Sequence, residues 1–598
     1  MSAIYPTRIL AGRLFRLLSI CPSLDSDQPL ECYCRTYEFV TAPSYEALSY
    51  VWGAHDPSTD SQIYCNGEAT AVRLALARAL RRLRLPQFPR IVWIDAICIN
   101  QKDIEEKSYQ VPLMGSIYSL AARVVIWLGP GDPLQVNEAA QYVRFVANAC
   151  RQHNNDPEMD SRSTERYENL DSSANPFTSI VCEGLKQLYG RPWFSRIWCV
   201  QEIRRAQDAV VLWDDQEIPW SDVGRTASWI LAVGQDDNGD AMPNLLSEVA
   251  AEQADLMYNG ESQQAPLLEI LRSHREWEST DPKDMVYGLL SLVAPESEAE
   301  ALKPDYNKTV GDVFADTVLV IIELYSRLTG LAYVSHPEEY DGQDGYRSWA
   351  PRWDIPEVAE VIGITENAWP WRADAGHNTE ILTENIKPGQ LCLVGVLYDT
   401  VTTVLEIMSV KNLRKPGNYN NDGVHPFCRA FENHERQQPS IETSEKDYMN
   451  WWVAFARTLS AGSIGNRPVL STDQKAQRVL LKAFGDLMIA LEPQYSDDAH
   501  TSAVIDSTAS SYKSDAYFYC NDRRFFWTEN GTFGLGPQCM RTGDIVVVLY
   551  GGYTPYVLRP KGDTYLFIGQ AYVDNIMQGQ LVEEVHAGRL QKQEFCLI

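Results

Sequence analysis

The sequence predicts an α/β N-terminal domain built on a parallel sheet with flanking helices, then a mainly helical region and a C-terminal β-rich domain. Three observations carry this. Ile91–Ile94 and Val124–Trp127 are short apolar runs of the kind that form strands covered on both faces. Between them, Asp103 and Glu106 make a capping-box start, and Gln110, Met114, Ile117 and Ala121 then recur at helical spacing. Arg90–Gly129 is therefore a strand–helix–strand crossover, whose two strands run parallel. Finally, glycines punctuate short apolar runs from Phe525 to Met577, the cadence of a small barrel or sandwich.

Taken in order, residues 1–44 read as an N-terminal hairpin and extension. Tyr45–Gly53 reads as a strand running into a glycine turn. Val72–Leu85 is a helix with Leu76, Leu80 and Leu83 on one face, which makes Arg78, Arg81, Arg82 and Arg84 its solvated side. Pro112 lacks an N–H and is expected to kink the crossover helix. Asn137–Cys150 is helical, residues 153–175 form a polar exposed insertion, and Ala209–Trp213 is another buried strand. This alternation spells a doubly wound α/β domain of flavodoxin-like type over residues 45–215. Residues 216–345 read as mainly helical, with Asp281 as an N-cap before Pro282. Residues 346–520 are mixed: an aromatic loop at Arg347–Pro356, a strand at Leu391–Leu397, and polar stretches at 411–444 and 497–514 that read as loops. Residues 521–598 are the β-rich domain.

Composition narrows the function. A net charge of −28 over 598 residues argues against non-specific binding to nucleic acid or to an anionic membrane surface. No run approaches the roughly 18 apolar residues of a membrane helix. The thirteen cysteines form no C-x-x-C pair, which fits a reduced, intracellular compartment, and the nine histidines form no metal-binding motif. No phosphate-loop motif is present, so no nucleotide-driven oligomerisation motor is expected.

Ligands of α/β sheets bind at the carboxyl ends of the strands. Asp95, Asn100 and Gln101 follow the first crossover strand directly, so they either hold the strand-to-helix turn or line a cleft there. Cys98 and Cys199 lie in apolar surroundings without a nearby histidine and read as inert thiols.

Three long segments, YEALSYVWG at Tyr45–Gly53, WIDAICINQ at Trp93–Gln101 and RPWFSRIWCVQE at Arg191–Glu202, resemble the blocks of the fungal heterokaryon-incompatibility domain. TDPKDMVYGLL, SWAPRWD and the closing GLGP…YVDNIM series extend the resemblance over essentially the whole chain. It implies a cytoplasmic role in fungal non-self recognition, with an allelic or non-allelic incompatibility protein as partner. An activated domain, self-associating, would trigger programmed cell death. The same domain is remotely similar to Toll/interleukin-receptor domains, some of which cleave NAD. Trp198-Cys199-Val200-Gln201-Glu202 stands in the Trp-Cys-x-x-Glu form that carries a catalytic glutamate there. By that resemblance Glu202 is the catalytic candidate and NAD the substrate, with no resident cofactor. Ser49, Tyr50, Trp52, Asp95, Asn100, Gln101 and Trp198 then form the binding set.

One carboxylate suffices for that chemistry. Nicotinamide leaves neutral, so no general acid is needed, and a single carboxylate can hold the ribose and stabilise an oxocarbenium-like transition state. Two plainer readings stand beside it. Glu202 is spaced to form an ordinary surface pair with Arg205, and Trp52, Trp93 and Trp127 read equally as core aromatics. The alternative functions are a non-catalytic recognition and signalling module, or a small-molecule enzyme on the same scaffold.

Overall fold

The computed structural model describes residues 4–25, 27–53, 57–153, 177–233, 248–259, 265–343, 345–356, 361–362, 371–382, 387–409, 425–436, 445–465, 467–470, 472–491 and 507–598. They divide into two compact units, Met1–Lys308 and Thr309–Ile598. The expected insertion at 153–175 lies outside the described residues apart from its first position.

Unit one is organised on a nine-stranded mixed sheet. In chain order the strands are β1 (Leu14–Ile20), β2 (Glu31–Glu38), β3 (Glu46–Tyr50), β4 (Ser61–Cys65), β5 (Glu68–Val72), β6 (Arg90–Trp93), β7 (Val124–Gly129), β8 (Ala209–Trp213) and β9 (Gln216–Pro219). In space they run β5-β4-β2-β1-β6-β3-β7-β8-β9. The central four, β6-β3-β7-β8, are parallel to one another. Every residue of β8 and all but the last of β7 are buried, as strands with two covered faces require. The flanks are largely antiparallel: β1 pairs with both β2 and β6, and β9 pairs with β8. The N-terminal hairpin is thus an extension of the same sheet. The sequence made β6 and β7 parallel, and they are, but β3 lies between them and pairs with both.

The helices that matter for the site are α1 (Leu74–Leu83), α2 (Asp95–Cys98), α3 (Ile104–Gln110), α4 (Met114–Leu120), α5 (Pro133–His153), α6 (Ser179–Tyr189) and α7 (Ile197–Arg204). Leu76, Leu80 and Leu83 of α1 are buried and Arg78 and Arg81 are exposed, so the arginine run is a solvated face. Asp103 caps α3, its carboxylate accepting the Glu106 amide at 3.2 Å. The crossover helix breaks at Pro112, where a 3₁₀ turn over Val111–Leu113 separates α3 from α4. Asp281 does not cap a helix. Its carboxylate accepts the Lys283 amide at 3.2 Å, and the helix begins only at Asp284.

Unit two carries β10 (Leu391–Val404), the two-residue pair β11 (Ser463–Ile464) and β12 (Arg467–Pro468), and β13 (Arg523–Thr528), β14 (Phe533–Pro537), β15 (Ile545–Leu549), β16 (Tyr556–Lys561), β17 (Thr564–Gln570) and β18 (Gln593–Leu597). The sheet runs β14-β13-β10-β15-β16-β17-β18, and a further pairing of β10 with β18 closes it. The long β10 achieves this by pairing with β15 and β18 along its first part and with β13 along its last. The barrel therefore recruits a strand far upstream of residue 521. Two stretches expected as loops contain helices, Pro426–Arg436 and Ser507–Cys520. Their polar composition hides buried positions at helical spacing, Phe427 with Phe431 and Ala509 with Tyr512 and Ala516. No described helix is long and apolar enough to cross a membrane.

Candidate functional site

The turn after β6 takes its shape from a buried ion pair. Arg16 on β1 and Glu106 on α3 are both almost fully buried, and Arg16 Nη1 lies 2.5 Å from Glu106 Oε1. Glu106 also accepts the Asn100 amide at 3.0 Å, and Arg16 donates to the Cys98 carbonyl at 3.1 Å. Gln101 adds a bond from its side-chain nitrogen to the Asp95 carbonyl at 2.9 Å. Asn100 and Gln101 thus hold the turn, the first through its backbone and the second through its side chain.

That turn forms one wall of a cavity of about 710 Å³ at the carboxyl ends of β3 and β6. Of the residues expected from sequence, Trp52, Asp95, Gln101 and Trp198 line it. Trp52 donates its indole N–H to both Asp95 oxygens, at 3.0 and 3.2 Å. Across the cavity Trp198 repeats the arrangement, donating to Asp284 Oδ2 at 2.9 Å while the Tyr306 hydroxyl donates to Oδ1 at 2.7 Å. Burial pushes the Asp95 carboxyl up to about 6, against the opposing pull of Arg196 and the Trp52 bond. Burial likewise raises Asp284, and the bonds from Tyr306 and Trp198 oppose it.

Ser49, Tyr50, Asn100 and Glu202 are not among the lining residues. Ser49 is fully buried and donates to Glu202 Oε2 at 2.5 Å, while Trp193 donates its indole N–H to Ser49 Oγ at 2.7 Å. Glu202 is 5% exposed, and burial pushes its carboxyl up to about 7. The neighbouring Asp95 adds to that rise, and the Ser49 bond, Arg196 and Tyr118 oppose it. Glu202 therefore sits one layer behind the cavity, in a network of Ser49, Trp193 and Tyr118. It does not pair with Arg205, whose guanidinium donates to the Ser291 carbonyl instead. Cys98 and Cys199 are buried with raised thiol pKa values, as inert thiols are. Trp93 is core, packed edge-on against Tyr118 at 5.3 Å.

Sequence reasoning passed over the cations. Arg73, Lys107 and Arg196 all line the cavity. Arg73 lies over the Trp52 ring at 5.3 Å and donates to the Gly53 carbonyl at 2.5 Å. Arg196 stood inside the third motif, but no spacing rule separates a lining arginine from a surface one. Asp281 and Asp284 came from a helix-start motif whose loop reaches the cavity only in the folded unit.

Residues 45–202 match the family model described as heterokaryon incompatibility protein (HET), and residues 473–598 match the model described as Het-6 beta-barrel domain. Over 678 aligned positions the chain is 25% identical to "Heterokaryon incompatibility protein 6, OR allele" of Neurospora crassa, covering 98% of this chain and 96% of that protein. No solved structure matches. By the two segment matches and the end-to-end similarity, the chain is similar to fungal heterokaryon-incompatibility proteins.

Proposed function

We propose that this protein acts in fungal non-self recognition, and that its N-terminal unit is a cytoplasmic cell-death effector that hydrolyses NAD in the cavity beside β3 and β6. The heterokaryon-incompatibility matches support the recognition role. In this reading an allelic or non-allelic incompatibility protein is the trigger, and self-association follows. The parallel order β6-β3-β7-β8, which in chain order is second-first-third-fourth, supports likeness to the doubly wound and Toll-type scaffolds.

The observation that carries the chemical part is the cavity itself. Its volume lies in the range of roughly 300–1,000 Å³ typical of small-ligand sites, and two indole rings line it beside carboxylates. Water attacks the ribose carbon as its bond to nicotinamide breaks. Nicotinamide departs with the bonding electrons, which cancel its ring charge, and the water proton passes to solvent. A carboxylate facing the ribose stabilises the developing oxocarbenium. Asp95 faces the cavity, and Glu202 stands behind Ser49. For Glu202 to meet ligand, Ser49 has to move aside.

The test is nicotinamide release from NAD by purified, artificially dimerised full-length protein. The wild type is expected to release it, and Asp95→Asn to lose at least about a hundredfold in rate. Comparing Glu202→Gln then tells which carboxylate reacts. Silence from the dimerised wild type retires the hydrolytic reading. A second reading, a non-catalytic signalling module, is favoured by one observation: the Glu202 carboxylate is buried and already bonded to Ser49. It predicts that Asp95→Asn remains toxic in a fungal host while cellular NAD stays constant.

A further inference from the structure

We propose that the cavity holds its ligand by a phosphate-type anion set between Arg196 and Lys107, making the ligand class a phosphorylated one that carries a planar ring. This rests on the cavity's being a ligand site, but not on any hydrolysis there.

The argument comes from which charges in the cavity already have partners. Lining carboxylates include Asp95, Glu278, Asp281 and Asp284, so the wall is not basic overall. Yet those facing the two indoles are taken up by neutral donors. Asp95 accepts Trp52 and also the Ala96 amide at 2.7 Å. Asp284 accepts Trp198 and Tyr306. Asp281 lies 3.4 Å from Lys283.

The cations lack such close partners. Arg196 is half-buried, and the one hydrogen bond its side chain is seen to make among the described residues is to the Tyr50 carbonyl, at 3.5 Å. Lys107 is half-buried, rests over the Tyr306 ring at 3.9 Å, and has no carboxylate within ion-pair distance among the described residues. Arg73 is different, because its charge is spent on the Gly53 carbonyl and the Trp52 ring.

A guanidinium has five N–H donors in a planar fork, and phosphate oxygens fit that fork two at a time. An ammonium beside it adds a compact second charge. Neither cation has a carboxylate in ion-pair contact among the described residues, although both feel Asp95 at longer range, so their donors are open to a ligand anion. The chain as a whole carries −28 and repels anions at long range, so the attraction has to be local. The half-buried rings of Trp52 and Trp198, which line the cavity, supply flat apolar surface for the rest of the ligand. Together these features favour a nucleoside diphosphate or its derivative over a neutral nucleoside.

The experiment is calorimetric titration of the full-length protein with three probes: inorganic pyrophosphate, ADP-ribose and adenosine. ADP-ribose is expected to bind at least about tenfold more tightly than adenosine, and pyrophosphate to compete with it. Arg196→Gln and Lys107→Gln should each weaken ADP-ribose by about tenfold or more. Arg81→Gln, on the exposed face of α1, should leave it unchanged. The Lys107 side chain makes no hydrogen bond among the described residues, so Lys107→Gln keeps the test independent of any folding defect in Arg196→Gln. Equal binding of adenosine and ADP-ribose, no binding of either phosphate probe, or indifference to Lys107→Gln overturns the proposal. Binding of ADP-ribose without nicotinamide release from NAD leaves it standing and removes only the hydrolytic reading.

Discussion

At the scale of single residues, burial decides how Glu202 behaves. Its carboxyl is pushed up to about 7, from an ordinary 4.5 in the unfolded chain, because desolvation outweighs the Ser49 bond. Between those two values the folded state binds a proton that the unfolded state does not, so stability falls as pH rises through that window. The full penalty, about 3 kcal/mol, is present above the folded value. Glu202→Gln has no charge to bury and can still accept the Ser49 hydroxyl. The variant is therefore expected to gain stability relative to wild type on going from about pH 5 to about pH 8, read from paired urea denaturation curves of the full chain. A difference independent of pH would show that Glu202 is not the titrating group. The sequence marked Glu202 through its tryptophan and cysteine neighbours, and marked Ser49 and Asp95 in other blocks. It carried no sign that Ser49 would cap Glu202 while Asp95 faced the cavity, because that sorting depends on which side of β3 each residue meets.

Among the elements, the Arg16–Glu106 pair does the joining. It ties β1 to α3 and, through the Asn100 amide and the Cys98 carbonyl, fixes the turn that presents Asp95. Both side chains are almost fully buried, so removing either one strands a charge away from water. Glu106→Ala should cost about 3–5 kcal/mol in urea denaturation, and Arg16→Met combined with Glu106→Leu should cost clearly less than either single loss. Additive costs would mean that the two side chains act separately. Much at this scale was legible beforehand. The apolar runs of β6, β7 and β8, the Asp103 cap and the break at Pro112 all follow from local periodicity and backbone chemistry. The place of β3 between β6 and β7 was not, since a crossover requires parallel strands without requiring neighbours. The helices Pro426–Arg436 and Ser507–Cys520 were obscured in the same way, by polar residues flanking a narrow buried stripe.

At the scale of the whole chain, unit two is closed by contacts that no local pattern reveals. Cys392 on β10 and Cys596 on β18 are directly opposite partners in an antiparallel ladder, and a disulfide joins them across 204 residues. Sequence reading took all thirteen cysteines as thiols, because these two acquire a shared position only once β18 returns to β10. The remaining eleven are thiols outside any disulfide. Alkylation of the protein unfolded without reductant, followed by mass measurement, should therefore mark eleven cysteines, and thirteen when reductant is present. The bond and the ladder act on different states. Cross-linking a loop of this length restricts the unfolded chain by about 5 kcal/mol in the chain-entropy treatment, whereas the ladder from Leu391 to Gly395 holds the folded strands together by its own hydrogen bonds. Reduction should then lower the melting temperature while leaving the native far-ultraviolet circular dichroism spectrum unchanged at 25 °C. Cys392→Ser combined with Cys596→Ser should match the reduced wild type. In a reducing cytoplasm the barrel would stay closed by strand pairing alone, with a smaller margin against unfolding. If reduction erased the β signal at room temperature, the disulfide rather than the ladder would be what closes the sheet.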